Sequence, residues 1–409
     1  MEKFSELPPR LAEASTDVLT YRRAGEAILA GEVPYRDFFI EYPPGSLPAF
    51  VPPALFTTSH EAYASLFASE MALVLVATLL LTAYAARSLG RPWLLSAVVF
   101  TAATLLLYPV AVTRYDAVVA LTLAATMALS TGPGGWNRGG SAAALIAAWA
   151  SLGFGAAAKL VPALATLPLA LFAGRGETRA LSEVVRSAAR GFAVFFGVVA
   201  AFFLPALLFG GGGFIESFTY HADRGLQLES LAASVLMKLG YGHGISREDG
   251  AIDVWGQGVQ FFSSMSLPIT GILLAVTAAA AYHEYRKGRF GTQQLPRFAA
   301  AFVLAFLLGS KVLSPQYVIW LLPLVPLSAG GVWGLGVSAV FLAICWMTTQ
   351  IFPYHYPEIS AGRSPGIDIL LGRNLLLVVL WALMLSLPSS SKAMDEPTRA
   401  STSEQGAPS

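Results

Sequence analysis

Residues 62–86 read AYASLFASEMALVLVATLLLTAYAA, twenty-five positions with Glu70 as their single charge. A run of about 18 or more residues this apolar is long enough to cross a bilayer as a helix. Ten further apolar runs follow at 92–112, 116–131, 141–157, 160–173, 191–209, 264–282, 298–310, 312–328, 332–349 and 367–387. The chain of 409 residues is 55% hydrophobic and only 12% charged. Soluble domains carry about twice that charge. The fold class expected is therefore an all-α polytopic membrane protein of about eleven segments. Its divisions are an N-terminal outer segment (1–61), a transmembrane bundle (62–387) and a polar, disordered tail (388–409).

Basic residues give the orientation, because Lys and Arg accumulate in cytoplasmic loops. Arg87 and Arg91, then Arg138, then Arg175, Arg179, Arg186 and Arg190, then Arg286, Lys287, Arg289 and Arg297 all fall on one side if the segments alternate. The other side receives few charges, each beside an aromatic residue, Gly or Pro. They are Arg114 and Asp116 around Tyr115, Lys159, the long loop 210–263, Lys311 with Ser314-Pro315-Gln316-Tyr317, and the region of His355. The runs 160–173 and 298–310 are short for a hydrocarbon core of about 30 Å. Each borders a lysine, Lys159 or Lys311. Short segments line a cavity within protein, and the alternative is that both lysines snorkel to the interface.

Before all of this stands TDVLTYRRAGEAILAGEVPYRDFFIEYPP, residues 16–44, rich in acids, arginines and tyrosines. Residues 16–30 suit a helix with Thr16 as N-cap, where Asp17 would complement the helix dipole. Pro43 and Pro44 then bar a regular helix. Lipid burial alone gives this polar preface no purpose, so it reads as an active-site loop at a membrane surface.

Other classes receive little support. No basic-aromatic stripe suggests nucleic acid. Cys345 is alone in an apolar run, so neither a disulfide framework nor a thiolate metal site is expected. The run Gly210–Gly213 follows no strand and lacks a phosphate-loop pattern. Residues 226–239 show imperfect amphipathic spacing, consistent with a helix on the membrane surface or with one buried against the bundle. No metal and no cofactor are expected.

Thr16-Asp17, Tyr21, Pro34-Tyr35-Arg36-Asp37-Phe38 and Glu41-Tyr42-Pro43-Pro44 together resemble the first outer loop of the polyprenol-phosphate-mannose-dependent glycosyltransferases of the GT-C superfamily. That group includes mycobacterial phosphatidylinositol-mannoside α-1,2-mannosyltransferases. The resemblance continues through Arg114-Tyr115-Asp116, Lys159-Leu160-Val161-Pro162, His221-Ala222-Asp223-Arg224-Gly225, Glu229-Ser230 and Ser314-Pro315-Gln316-Tyr317 with Trp320. It implies an inverting transfer of a hexose, typically mannose, from a polyprenyl-phosphate sugar donor to a glycolipid or glycan acceptor. The implied setting is the outer face of a bacterial plasma membrane, with membrane lipid as surroundings.

In the family the first-loop Asp is the general base, and Asp17 fits that position. Inverting transfer needs one carboxylate to take the acceptor's proton, and positive charge to stabilise the departing phosphate. Arg114, Lys159, His221, Arg224 and Lys311 are candidate cations. Asp37 and Glu41 are rival carboxylates that either bind acceptor hydroxyls or, with Arg36, scaffold the loop. Tyr42, Gln316 and Tyr317 are candidate hydrogen-bonding residues, with weaker claims for His243 and His355. Arg114 and Asp116 either pair with each other across Tyr115 or contact substrate. The family also places a membrane helix before its first outer loop, whereas residues 1–60 contain no such run; the natural protein is expected to start upstream, the alternative being that the N-terminal tail is translocated as the next helix inserts. The competing functions are a transporter or flippase of lipid-linked sugars and a non-catalytic scaffold.

Overall fold

The computed structural model describes residues 9–108, 110–132, 142–174, 181–246 and 252–388. Arg138, Arg175, Arg179 and the tail from 389 onward lie outside the described residues. Twelve labelled helices carry the architecture: α1 (Pro9–Leu29), α2 (His60–Ser88), α3 (Trp93–Leu106), α4 (Asp116–Thr131), α5 (Ala142–Ala158), α6 (Thr166–Ala173), α7 (Leu181–Asp223), α8 (Leu231–Lys238), α9 (Val259–Arg286), α10 (Gln294–Gly309), α11 (Gly331–Thr349) and α12 (Gly366–Ser386). Five helices among the described residues are long and apolar enough to span a membrane: His60–Ser88, Ala188–Tyr220, Val259–Arg286, Gly331–Tyr354 and Gly366–Ser386. Shorter apolar helices account for the other six predicted runs.

The short elements form the buried centre. Nearly every residue of α10 is inaccessible, and so are Pro168 through Ala173 of α6. The run 312–328, expected as a helix, is instead two 3-10 pieces, Pro315–Leu321 and Val325–Leu327. Prolines 315, 323 and 326 interrupt regular hydrogen bonding there. Irregular backbone at this depth is tolerated because protein surrounds it: Val318, Ile319, Trp320, Leu321 and Leu322 are all buried.

Small side chains let the surrounding helices approach, since in lipid the attraction between helices comes from close packing and hydrogen bonds. Ala117, Ala120, Ala124 and Ala128 lie buried along one face of α4. Beside that face, Ser151 Oγ donates to Thr122 O at 2.9 Å, joining α5 to α4.

Two expectations change, and one alternative left open gains detail. First, α1 starts at Pro9, so Thr16 is inside the helix and not its N-cap, and Asp17 does not lie in the first turn. Complementing the helix dipole therefore no longer accounts for Asp17. Second, Gly210–Gly213 do not open a loop. They lie within α7, where Gly211 breaks the helix with φ 55° and ψ −128°. A Cβ at Gly213 would stand 1.9 Å from Tyr35 O, so the missing side chain is what admits the Pro34–Tyr35 turn against the helix. Third, the 226–239 stretch is divided: Leu226, Leu228 and Leu236 are inaccessible and the eight-residue α8 packs on α12, while Val235 and Leu239 stay exposed. An unexpected antiparallel hairpin follows, β1 (Gly242–Ser246) with β2 (Ile252–Gly256).

The loops sort to two ends as alternation requires. At one end Arg91 donates to Gln293 Oε1 (3.1 and 2.7 Å), Tyr285 donates to Gly174 O, and Arg297 donates to Met384 O and Leu385 O. The polar N-terminal segment and the isolated cations gather at the other.

Candidate active site

The site is built where α1 meets the α4 N-terminus. Asp17 and Tyr21 are four residues apart and share one face of α1. Tyr21 stacks on Phe50 (centroids 4.4 Å apart, planes at 7°), and Tyr42 and Tyr115 meet it edge-on at 5.4 and 5.9 Å. Tyr42 and Tyr115 also touch, at 5.3 Å. Such aromatic pairs contribute about 0.5–1.5 kcal/mol each beyond their buried area, so four mutually contacting rings make a stiff wall. Burial, followed by the Asp17 carboxylate, pushes the phenols of Tyr21 and Tyr42 well above the ordinary range, so both remain neutral hydrogen-bonding groups.

Two ion pairs emerge beside that wall, and neither joins Arg114 to Asp116. Arg114 Nε lies 2.8 Å from Asp17 Oδ2, with the Arg114 side chain 8% exposed and that of Asp17 30%. Asp116 turns the other way and accepts from both Lys159 Nζ and Trp320 Nε1 at 2.7 Å. Its place in the first turn of α4 adds dipole stabilisation. Lys159 Nζ sits 5.0 Å from the ring centroids of Tyr115 and Tyr317 and 5.2 Å from that of Trp320. Tyr317 stacks on Trp320 at 4.2 Å. The four charges thus alternate in sign, and only Asp17 keeps a substantial accessible face.

Gly45 completes the enclosure. A Cβ there would lie 2.4–2.7 Å from backbone atoms of Ala157 and Ala158. Only hydrogen at this position lets the Pro43–Pro44 turn close over the end of α5, immediately before Lys159.

The remaining candidates divide. Asp37 accepts from Arg36 (2.9 and 2.8 Å) and from Val33 N (2.7 Å), and the Arg36 guanidinium first, then that backbone N–H, holds its carboxyl down to about 2. This places Asp37 in the loop's scaffold. Glu41 is half-buried near Tyr42 and Tyr115 and raises both phenols electrostatically. Lys311 lies beside the 224–230 segment: Gln227 N donates to Lys311 O at 2.9 Å, and Leu313 N donates to Gln227 Oε1 at 2.7 Å. Arg224, half-buried, opens that segment. Gln316, also half-buried, precedes Tyr317. His221 lies in the last turn of α7, and its side chain falls outside the described residues. His243 is exposed in β1, and His355 Nδ1 is bonded to Gln350 O at 2.8 Å, away from the aromatic wall. Among the described residues no group of three His, Cys, Asp or Glu side chains converges as metal ligands would. Sequence reasoning missed Asp116 as the anchor for Lys159 and Trp320, because its partners lie 43 and 204 residues away.

A family model described as glycosyltransferase family 87 matches residues 39–315, more than half of the chain. The chain belongs to glycosyltransferase family 87. The matched span includes Arg114, Asp116, Lys159 and Lys311, while Asp17 and Tyr21 precede it and Gln316, Tyr317 and Trp320 follow it. Among solved structures, ArnT from Cupriavidus metallidurans in the apo state is similar at 15% identity and a TM-score of 0.46, over 91% of this chain and 71% of that one. No curated protein matches. Family 87 membership and the membrane-spanning helices make this protein a membrane glycosyltransferase.

Proposed function

We propose that this family 87 enzyme is an inverting hexosyltransferase, with Asp17 as general base. The donor is a polyprenyl-phosphate-linked sugar, with mannose favoured by the first-loop resemblance. The acceptor is a glycolipid or glycan, and the site faces the outer side of a bacterial plasma membrane. The observation that carries the reading is the Asp17–Arg114 pair: a carboxylate with an accessible face, oriented by a buried guanidinium, at the rim of a rigid aromatic wall. The acceptor oxygen forms a bond to the anomeric carbon as the bond from that carbon to phosphate oxygen breaks. The hydroxyl proton passes to Asp17, and the electron pair leaves with the phosphate. Arg114, Lys159, Arg224 and Lys311 supply positive charge for that leaving group. Tyr42, Glu41, Gln316 and Tyr317 offer hydrogen bonds to sugar hydroxyls.

The test supplies polyprenyl-phosphate-mannose and cell lipid extract to the purified protein in lipid, and reads the anomeric configuration of the mannosylated product. An inverted linkage that disappears in Asp17→Asn supports the proposal. Full activity in a folded Asp17→Asn protein removes Asp17 from the role. No product from any lipid-linked sugar, with donor crossing liposomes containing the protein, replaces transfer by transport.

A further inference from the structure

The end of the molecule opposite Asp17 holds a second polar feature that glycosyl transfer does not use. The last turn of α2 leads into Arg91, and Pro92 caps α3. On the other side of a small cleft, Gly330 caps α11 with no side-chain hydrogen bond, and Gly331 follows at φ 58°. Arg91, Ser96, Gly330, Gly331 and Ser338 line this cleft. The first N–H groups of any helix lack intrahelical partners and attract anions. Here two helices present that end to the same cleft.

Arg91 is the independent observation. Its Nε and Nη2 are held by Gln293 Oε1, and Gln293 is fixed in turn by donating to Leu89 O at 2.6 Å. Its Nη1 is buried with no hydrogen-bond partner. A buried, unpartnered donor on a charged group is costly, and an anionic oxygen satisfies it. The accessible space of the whole cleft is only ≈ 20 Å³. It fits one oxygen of an anionic group and no sugar ring. Nothing lies within 4 Å of where a Cβ on Gly330 or Gly331 would stand, so the approach is open. Around the mouth, Trp93, Leu94, Val332 and Trp333 are exposed. Trp at this level marks the membrane–water interface, and the exposed Leu and Val beside it suit acyl chains.

We infer that this cleft binds the headgroup phosphate of an anionic phospholipid, with one phosphate oxygen on Arg91 and the helix N-termini, and the acyl chains along Trp93 and Trp333. A lipid is favoured over a soluble anion because the exposed Trp93, Leu94, Val332 and Trp333 directly follow the cleft residues Pro92 and Gly331 in the chain, and Leu95 and Val99 add apolar lining.

Native mass spectrometry of the full chain in detergent tests this, titrating phosphatidylglycerol, diacylglycerol with the same chains, and inorganic phosphate. Wild type is expected to retain one phosphatidylglycerol, and Arg91→Gln to weaken retention about tenfold, the loss expected for one charge-assisted contact. Gly330→Leu fills the mouth without altering any charge and is expected to weaken it similarly, with unchanged melting as evidence of folding. Diacylglycerol is expected not to bind, and millimolar phosphate not to compete. Equal phosphatidylglycerol retention by wild type and both variants overturns the site. Equal binding of diacylglycerol overturns the role of phosphate, and effective competition by inorganic phosphate overturns the lipid assignment.

Discussion

The Asp17–Arg114–Asp116–Lys159 series and the Glu229–Arg373 pair both take carboxylates and cations out of bulk water, but they are finished differently. In the first, Asp116 has two donors at 2.7 Å, Lys159 has three aromatic faces about 5 Å away, and Asp17 retains an accessible side. In the second, Glu229 from the 224–230 segment and Arg373 from α12 are 1% and 0% exposed in their side chains and stand 3.6 Å apart. Glu229 Oε2 and Arg373 Nε and Nη1 lack hydrogen-bond partners, although Arg373 and Asn374 also donate to Glu229 O. One cluster is open at a single reactive group. The other is sealed, and it staples α12 to the segment that carries Arg224 and touches Lys311. Accessibility of one member, rather than burial of charge, separates the candidate chemistry from the strut.

Substitution at Asp17 gives the largest expected break in that comparison. Asp17→Asn keeps the shape and removes the proton acceptor, so the transfer rate should fall by about 10²–10⁴, the usual contribution of a general base. Its cost in stability should stay below that of unpairing Arg373, because the Asp17 carboxylate is partly exposed and Asp116 still acts on the Arg114 guanidinium. A turnover assay beside a thermal melt in detergent reads both. An equal loss in both would make Asp17 a strut like Glu229.

Next in size is an asymmetry within the sealed pair. Above pH 8, where Glu229 is ionised, Glu229→Leu leaves the Arg373 guanidinium buried without a counter-charge, which a side chain unable to shed its proton cannot escape; breaking such a pair costs about 3–5 kcal/mol. Arg373→Met should cost clearly less, because Glu229 can take up a proton. Chemical denaturation of the two variants checks the order. A smaller effect is expected at Gly45. Gly45→Ala puts a methyl against the backbone of Ala157 and Ala158, and overpacking of this kind costs about 1–3 kcal/mol. The turn over Lys159 should lift, so turnover should fall further than melting predicts.

These contrasts also show where the sequence was readable. Hydropathy located all eleven apolar runs because the lipid requirement is local and continuous along the chain. Arg91 and Gln293, in loops that alternation assigns to the same end, meet across 202 residues. What escaped was pairing. Arg114 and Asp116 invite a local ion pair, yet their side chains meet different partners, Asp17 and Lys159. Arg373 drew no attention inside an apolar run, since its partner is 144 residues away. Gly210–Gly213 read as a loop because glycine weakens helices, whereas contact with Tyr35 makes glycine necessary there.

A pH dependence also separates the two clusters, through the proton on Glu229. Burial raises its carboxyl to about 8, against the opposing pull of Arg373. An acid whose folded pKa lies above its unfolded value of about 4.3 binds more protons when folded, so stability must fall as pH rises between those values. The stabilisation is fully present below about pH 4 and is lost as pH passes through 8, with a limiting slope of ~1.4 kcal/mol per pH unit for one proton. Melting temperature of the wild type should therefore decline from pH 5 to 8.5, and Glu229→Gln, which cannot ionise, should flatten that decline. The same substitution should leave the pH dependence of turnover unchanged in shape, because Glu229 contacts Arg373 in the sealed cluster and not the aromatic wall. A flattened turnover profile would instead join the two clusters into one titrating system and end the distinction between strut and site.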